Sequence, residues 1–156
     1  MNLTTRSSYG VRALVSLTVM NGAACPVSIR EIAELEGISD IYLEQIFSTL
    51  KKSGILRSVR GPKGGYSLSR DPERVNVYQI VKALEKRSFP SRCLTGRDGC
   101  SSCTMSASCV STEVWAELEK YMKNALEKFS LRDLAEKKTE KLSSKVPRNP
   151  SGATKG

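Results

Sequence analysis

Four cysteines fall within seventeen residues of this chain, as Cys93-x6-Cys100-x2-Cys103-x5-Cys109, and the 156-residue sequence contains no histidine. The missing imidazole removes the commonest general base and the commonest metal ligand together, which excludes Ser–His, Cys–His and zinc-hydrolase chemistry. Thiolates in a loop rich in Gly, Ser and Thr suit tetrahedral zinc or an iron–sulfur cluster. Zinc sites usually pair two close Cys knuckles, and here only Cys100-x2-Cys103 is close, so the irregular spacing leans toward a cluster. Metal-free reactive thiols are the third reading, because Arg92 and Arg97 favour the thiolate. Structural disulfides are disfavoured. The apolar stretch Val11–Met20 is interrupted by Arg12, Ser16 and Thr18, is too short to span a bilayer and lacks a cleavage pattern. A cytoplasmic chain in a reducing compartment is therefore expected, with no membrane partner. The fifth cysteine, Cys25 beside Pro26, is expected to be a small buried hydrophobe.

The second chemical feature is charge. The chain carries 25 Lys+Arg against 16 Asp+Glu, a formal +9, which points to a polyanionic partner. Lys51–Arg70 holds six basic residues and no acidic one. Lys137–Gly156 holds six against Glu140 alone, so the remainder is slightly negative. Paired catalytic carboxylates are not evident. The run Gly61-Pro62-Lys63-Gly64-Gly65 lacks the Gly-Lys-Ser/Thr ending and following helix of a phosphate loop. No enzyme is expected.

The elements that must position these groups follow from periodicity. A first helix spans most of residues 1–20, capped by Thr4 or Thr5, with Val11, Leu14, Val15 and Thr18 on one face. Ser28 and Glu31 predict a capping box opening a second helix, which stops at Gly37. A third helix starts at Ser39 and carries the stripe Leu43, Ile46, Phe47 and Leu50, ending at Gly54. Two extended runs, Ile55–Arg60 and Tyr66–Ser69, flank the glycine-rich turn and predict a hairpin. A fourth helix covers about Val77–Glu85, and residues 92–109 read as a loop. A long helix runs from Thr112 to about Phe129, with Trp115, Leu118, Met122, Ala125 and Phe129 as its apolar stripe. That stripe has nothing of its own to cover it, so pairing with a second copy is expected, with folding back on the first helix as the alternative. The last twenty residues are expected to be a disordered basic tail.

The segment Ala33-Glu34-Leu35-Glu36-Gly37-Ile38-Ser39 has the build of a helix–turn–helix. Ala33 permits close approach, Gly37 turns, Ile38 plugs the angle and Ser39 caps. The second helix of such a unit enters the DNA major groove. Its outward residues are Ser39, Asp40, Glu44, Gln45, Ser48, Lys51 and Lys52; Gln can pair with adenine and Glu can accept from cytosine N4. The basic hairpin becomes a wing laid on phosphates or in the minor groove.

Three segments carry a family resemblance. Asn2-Leu3-Thr4-Thr5-Arg6-Ser7-Ser8-Tyr9-Gly10-Val11-Arg12-Ala13-Leu14, Tyr42-Leu43-Glu44-Gln45-Ile46-Phe47 and Val59-Arg60-Gly61-Pro62-Lys63-Gly64-Gly65-Tyr66 resemble the IscR-type winged-helix regulators. That family includes the nitric-oxide sensor NsrR and the cysteine-metabolism regulator CymR. The resemblance covers about residues 1–135. It implies a homodimeric transcription factor controlling iron–sulfur or related redox genes, with loop cysteines holding a 2Fe–2S cluster in preference to a 4Fe–4S one. The family's base-reading glutamate falls on Glu44, its neighbour on Gln45 and its wing arginine on Arg60. Two departures stand out. Thr112 occupies the position of a ligand histidine, and both Cys100 and Cys103 match the middle ligand position. An all-cysteine set of Cys93, Cys100, Cys103 and Cys109 accounts for both.

The expected molecule is mainly α. A winged helix-turn-helix DNA-binding domain (1–85) is followed by a cysteine-rich cluster-binding loop (86–111), a long C-terminal dimerisation helix (112–135) and a disordered basic tail (136–156). The expected contacts to double-stranded promoter DNA are Ser39, Tyr42, Glu44, Gln45, Ser48, Lys51, Arg57, Arg60 and Lys63. A metal-free or zinc-bound thiol or nitric-oxide sensor of the same fold is the alternative.

Overall fold

Helix α1 (Thr5–Val19) is the axis around which the chain is built, and it buries Ser7, Gly10 and Ala13 through Leu17. This is a computed structural model, and it describes residues 4–20, 24–85 and 110–145. The other elements are α2 (Ile29–Glu36), α3 (Asp40–Lys52), β1 (Leu56–Val59), β2 (Gly65–Leu68), a 3-10 turn (Pro72–Arg74), α4 (Val77–Leu84), α5 (Ser111–Glu127) and α6 (Leu131–Lys145). Helix α1 touches α2, α3, α4 and α6. A helix surrounded in this way is buried over more than the single stripe of Val11, Leu14, Val15 and Thr18.

The local signals act as physical chemistry requires. Ser28 and Glu31 form the reciprocal capping box at 3.2 and 3.1 Å, and Asn76 and Gln79 form another ahead of α4 at 2.9 and 3.4 Å. Leu43, Ile46, Phe47 and Leu50 are fully buried, together with Leu14, Leu17, Ile32 and Ile80. The two strands pair antiparallel with Leu56 opposite Leu68 and Val59 opposite Gly65. Val27 adds an isolated bridge to Tyr66 through two backbone hydrogen bonds of 2.9 and 2.8 Å.

Three expectations are corrected. Thr4 stands at the N-cap of α1, but its side chain makes no cap bond; its hydroxyl donates to Glu85. Cys25 is exposed, not buried; the neighbouring Ala24 is exposed too and Val27 is the buried residue of that connection. The third correction is larger. The helix expected over 112–135 is divided, and α6 extends through residues assigned to a disordered tail. Leu131 is fully buried, Ala135 is 8% exposed, and Leu134 packs partly against the same core. These residues at i, i+3 and i+4 form a short apolar patch that α1 and the 3-10 turn cover. Ser130 and Asp133 cap the helix reciprocally at 3.1 and 3.0 Å, a pattern present in the sequence. The backbone pairs Val77 N to Phe129 O at 2.9 Å and Leu131 N to Val75 O at 2.8 Å seat the α5–α6 turn beside α4.

Helix α5 lies against α4, and its apolar side is open among the described residues. Val114 and Tyr121 are 62% and 64% exposed, and Trp115 and Leu118 are each 38% exposed. None of the described helices is long and apolar enough to cross a membrane.

Candidate nucleic-acid interface

The unit most able to recognise a ligand is α2–turn–α3 with its hairpin. Gly37 adopts φ 65° and ψ 37°, the left-handed region in which a side chain would be strained. Ile38, 7% exposed, fills the angle between the helices. Ser39 caps α3 by accepting from the Tyr42 backbone nitrogen at 3.3 Å. With one face of α3 buried in the core, Ser39, Glu44, Gln45, Ser48 and Lys51 are exposed on the other. Tyr42 differs. It is half-buried and packs edge-on to Tyr9 at 6.1 Å between centroids, so its ring also serves the core. Ile41, not anticipated as a surface contact, is 73% exposed. Its position outside the i, i+3, i+4 stripe was the available signal, and an aliphatic group there can meet a thymine methyl.

The hairpin is held against the helices by several bonds that spacing does not reveal. Lys51 Nζ donates to Ser58 Oγ at 2.7 Å, tying the end of α3 to β1. Arg57 Nε donates to Ser67 Oγ across the strands at 2.9 Å. Tyr66 meets Phe47 edge-on at 5.1 Å. At Gly65 a Cβ would lie 2.3 Å from the Val27 carbonyl oxygen, so only glycine admits the Val27 bridge. Arg57, Arg60 and Lys63 are exposed.

Glu36, the last residue of α2, organises the back of the unit. Its side chain is 6% exposed. It accepts from Arg12 at 2.9 Å, from Lys138 at 2.6 Å and from Ser16, while Arg12 also reaches the Glu36 carbonyl at 2.9 Å. Burial pushes its carboxyl up, but hydrogen bonds from Lys138 and Ser16 and the charges of Lys138 and Arg12 outweigh that and hold it below its ordinary value. Helix α6 is thereby clamped to the helix–turn–helix. Neither Glu36 nor Lys138 stands out in the sequence, since 102 residues separate them.

Cys93, Cys100, Cys103 and Cys109 lie outside the described residues. Among the described residues no group of three or more His, Cys, Asp or Glu side chains could hold a metal. Thr112 is half-buried in the first turn of α5, and its hydroxyl is no substitute for an imidazole.

A capped recognition helix beside an anchored basic hairpin defines a winged helix-turn-helix regulator rather than an enzyme. Residues 3–137 match the Rrf2 family, described as iron-dependent transcriptional regulators, and the chain belongs to that family. It is 40% identical over 134 residues to protein rrf2 of Nitratidesulfovibrio vulgaris, covering 86% of this chain and 87% of that relative. Among solved structures, T. potens IscR superposes with a TM-score of 0.67 at 31% identity, covering 90% of each chain. CymR of B. subtilis, the global cysteine regulator, also superposes at 0.67, with 27% identity over 88% of this chain and 98% of its own.

Proposed function

We propose that this transcriptional regulator is a cytoplasmic homodimer whose promoter binding is controlled by an iron–sulfur cluster, and that its targets include iron–sulfur biogenesis genes. The observation that carries DNA recognition is the exposed polar face of α3 joined through Lys51 and Ser58 to a basic hairpin. Ser39, Tyr42, Glu44, Gln45 and Ser48 would face base edges, and Lys51, Arg57, Arg60 and Lys63 would face phosphates. Two such units would read half-sites roughly 34–36 Å apart.

The donor set supports a cluster. Four cysteines suffice for a 2Fe–2S or 4Fe–4S centre without histidine, and with Thr112 at the family's histidine position a Cys93, Cys100, Cys103, Cys109 set is self-sufficient. The 2Fe–2S form is the one that the resemblance to the IscR-type regulators implies. Such a group supplies a ligand whose presence depends on iron, sulfide and oxidant. The equal superposition on CymR favours a second reading, a metal-free thiol switch on the same fold.

Anaerobic purification with iron and sulfide analysis separates the readings. A brown protein that loses its colour when Cys93 or Cys109 is replaced by Ala is expected. A colourless protein that binds DNA alike with and without iron, yet responds to oxidants, would establish the thiol switch instead. For DNA, Arg60→Ala or Lys63→Ala is expected to flatten the slope of log affinity against log salt by about 1 for each phosphate no longer neutralised; unchanged slopes would remove the hairpin from the interface.

A further inference from the structure

A threonine at an N-cap ordinarily accepts a hydrogen bond from the first turn of its helix. The Thr4 hydroxyl instead donates to Glu85 Oε1 at 2.6 Å, and the same oxygen accepts from the Thr4 backbone nitrogen at 3.2 Å and from Ser7 Oγ at 2.5 Å. The first turn of α1 contains no acidic residue, so the carboxylate at the positive end of this helix comes from the end of α4. Between Thr4 and Ser7 sits Arg6, whose charge also acts on Glu85. Its Nη2 donates to Thr49 Oγ1 on α3 at 2.7 Å, and that hydroxyl donates onward to the Gln45 carbonyl at 3.0 Å. The donors and acceptors therefore run in one direction, from Arg6 into the backbone of a base-reading residue. Arg6 Nε is buried without a hydrogen-bond partner, the one such side-chain atom among the described residues. An unsatisfied buried donor costs stability.

We propose that Arg6 is a positioning residue for base reading: through Thr49 and the Gln45 carbonyl it sets where α3 lies in the groove. It acts without touching DNA. The proposal rests on the DNA-binding reading above and adds to it the element that orients the recognition helix.

Arg6→Met keeps the aliphatic stem and removes the donors, while Thr49→Val keeps the shape and removes the acceptor. Binding of the full chain is measured to a duplex it selects from a randomised pool, and to mixed-sequence duplex DNA. Each variant is expected to bind the selected duplex about tenfold more weakly and mixed sequence less than about twofold more weakly, with the double variant no worse than either single one. Thr49→Val keeps the test open if Arg6→Met does not fold. Equal losses on both duplexes with a flatter salt slope would make Arg6 a phosphate contact and overturn the proposal. A lower melting temperature with unchanged selectivity, or additive losses in the double variant, would overturn it as well. If the unmodified chain selects no sequence from the pool, the DNA-binding reading itself fails.

Discussion

Glu36 shows how one side chain can join parts of the chain that are remote in sequence. It is nearly buried and receives Arg12, Ser16 and Lys138. Its lowered pKa means that the folded chain binds the proton less readily than the unfolded chain. The stability it contributes is full above the ordinary value of 4.5 and is lost as pH falls through the lower folded value. Glu36→Gln is expected to cost about 1–3 kcal/mol near neutral pH. Its unfolding free energy should then decline less steeply than that of the unmodified chain below about pH 5. Chemical denaturation across that range checks both, and parallel pH curves would show that Glu36 contributes no pH-dependent stability. The wing glycine was legible as a turn residue. That Gly65 must also admit the Val27 carbonyl was not, because the constraint comes from a strand partner.

At the scale of elements, what was legible is what neighbours in sequence decide. The Ser28–Glu31 capping box, the Gly37 turn and the α3 core stripe each lie within one or two turns of helix, and all three form as their residues require. Helix α6 escaped because its segment is polar almost throughout and its apolar patch spans little more than one turn. Only contact with α1 and the 3-10 turn makes that patch worth burying. Leu131→Ala is therefore expected to destabilise the chain by about 2–5 kcal/mol, as a buried leucine in the common core would; thermal or denaturant unfolding measures it. A change below about 0.5 kcal/mol would mean that α6 does not belong to the folding unit. The cap at Ser39 carries a smaller stake, about 0.5–2 kcal/mol for Ser39→Ala, read as lower stability with weaker DNA binding.

At the scale of the whole molecule, α5 offers Val114, Trp115, Leu118 and Tyr121 to solvent. Nothing among the described residues covers this surface, and in the proposed homodimer a two-fold copy would. Trp115→Asp combined with Leu118→Asp is expected to leave a folded monomer in sedimentation, with affinity for a two-half-site duplex down by at least about tenfold. Dimers that persist in this variant would move the interface elsewhere. The sequence by itself determined the helix–turn–helix, its basic hairpin, the exclusion of histidine chemistry and the cluster of four thiols, since these follow from residue type and short-range periodicity. Only the tertiary structure decided that α6 closes the core, that Glu36 clamps it to α2, and that Arg6 reaches the recognition helix. Those contacts join residues from 43 to at least 122 positions apart, and they form because burial makes unpaired charge and uncovered apolar surface costly, a condition no local pattern records.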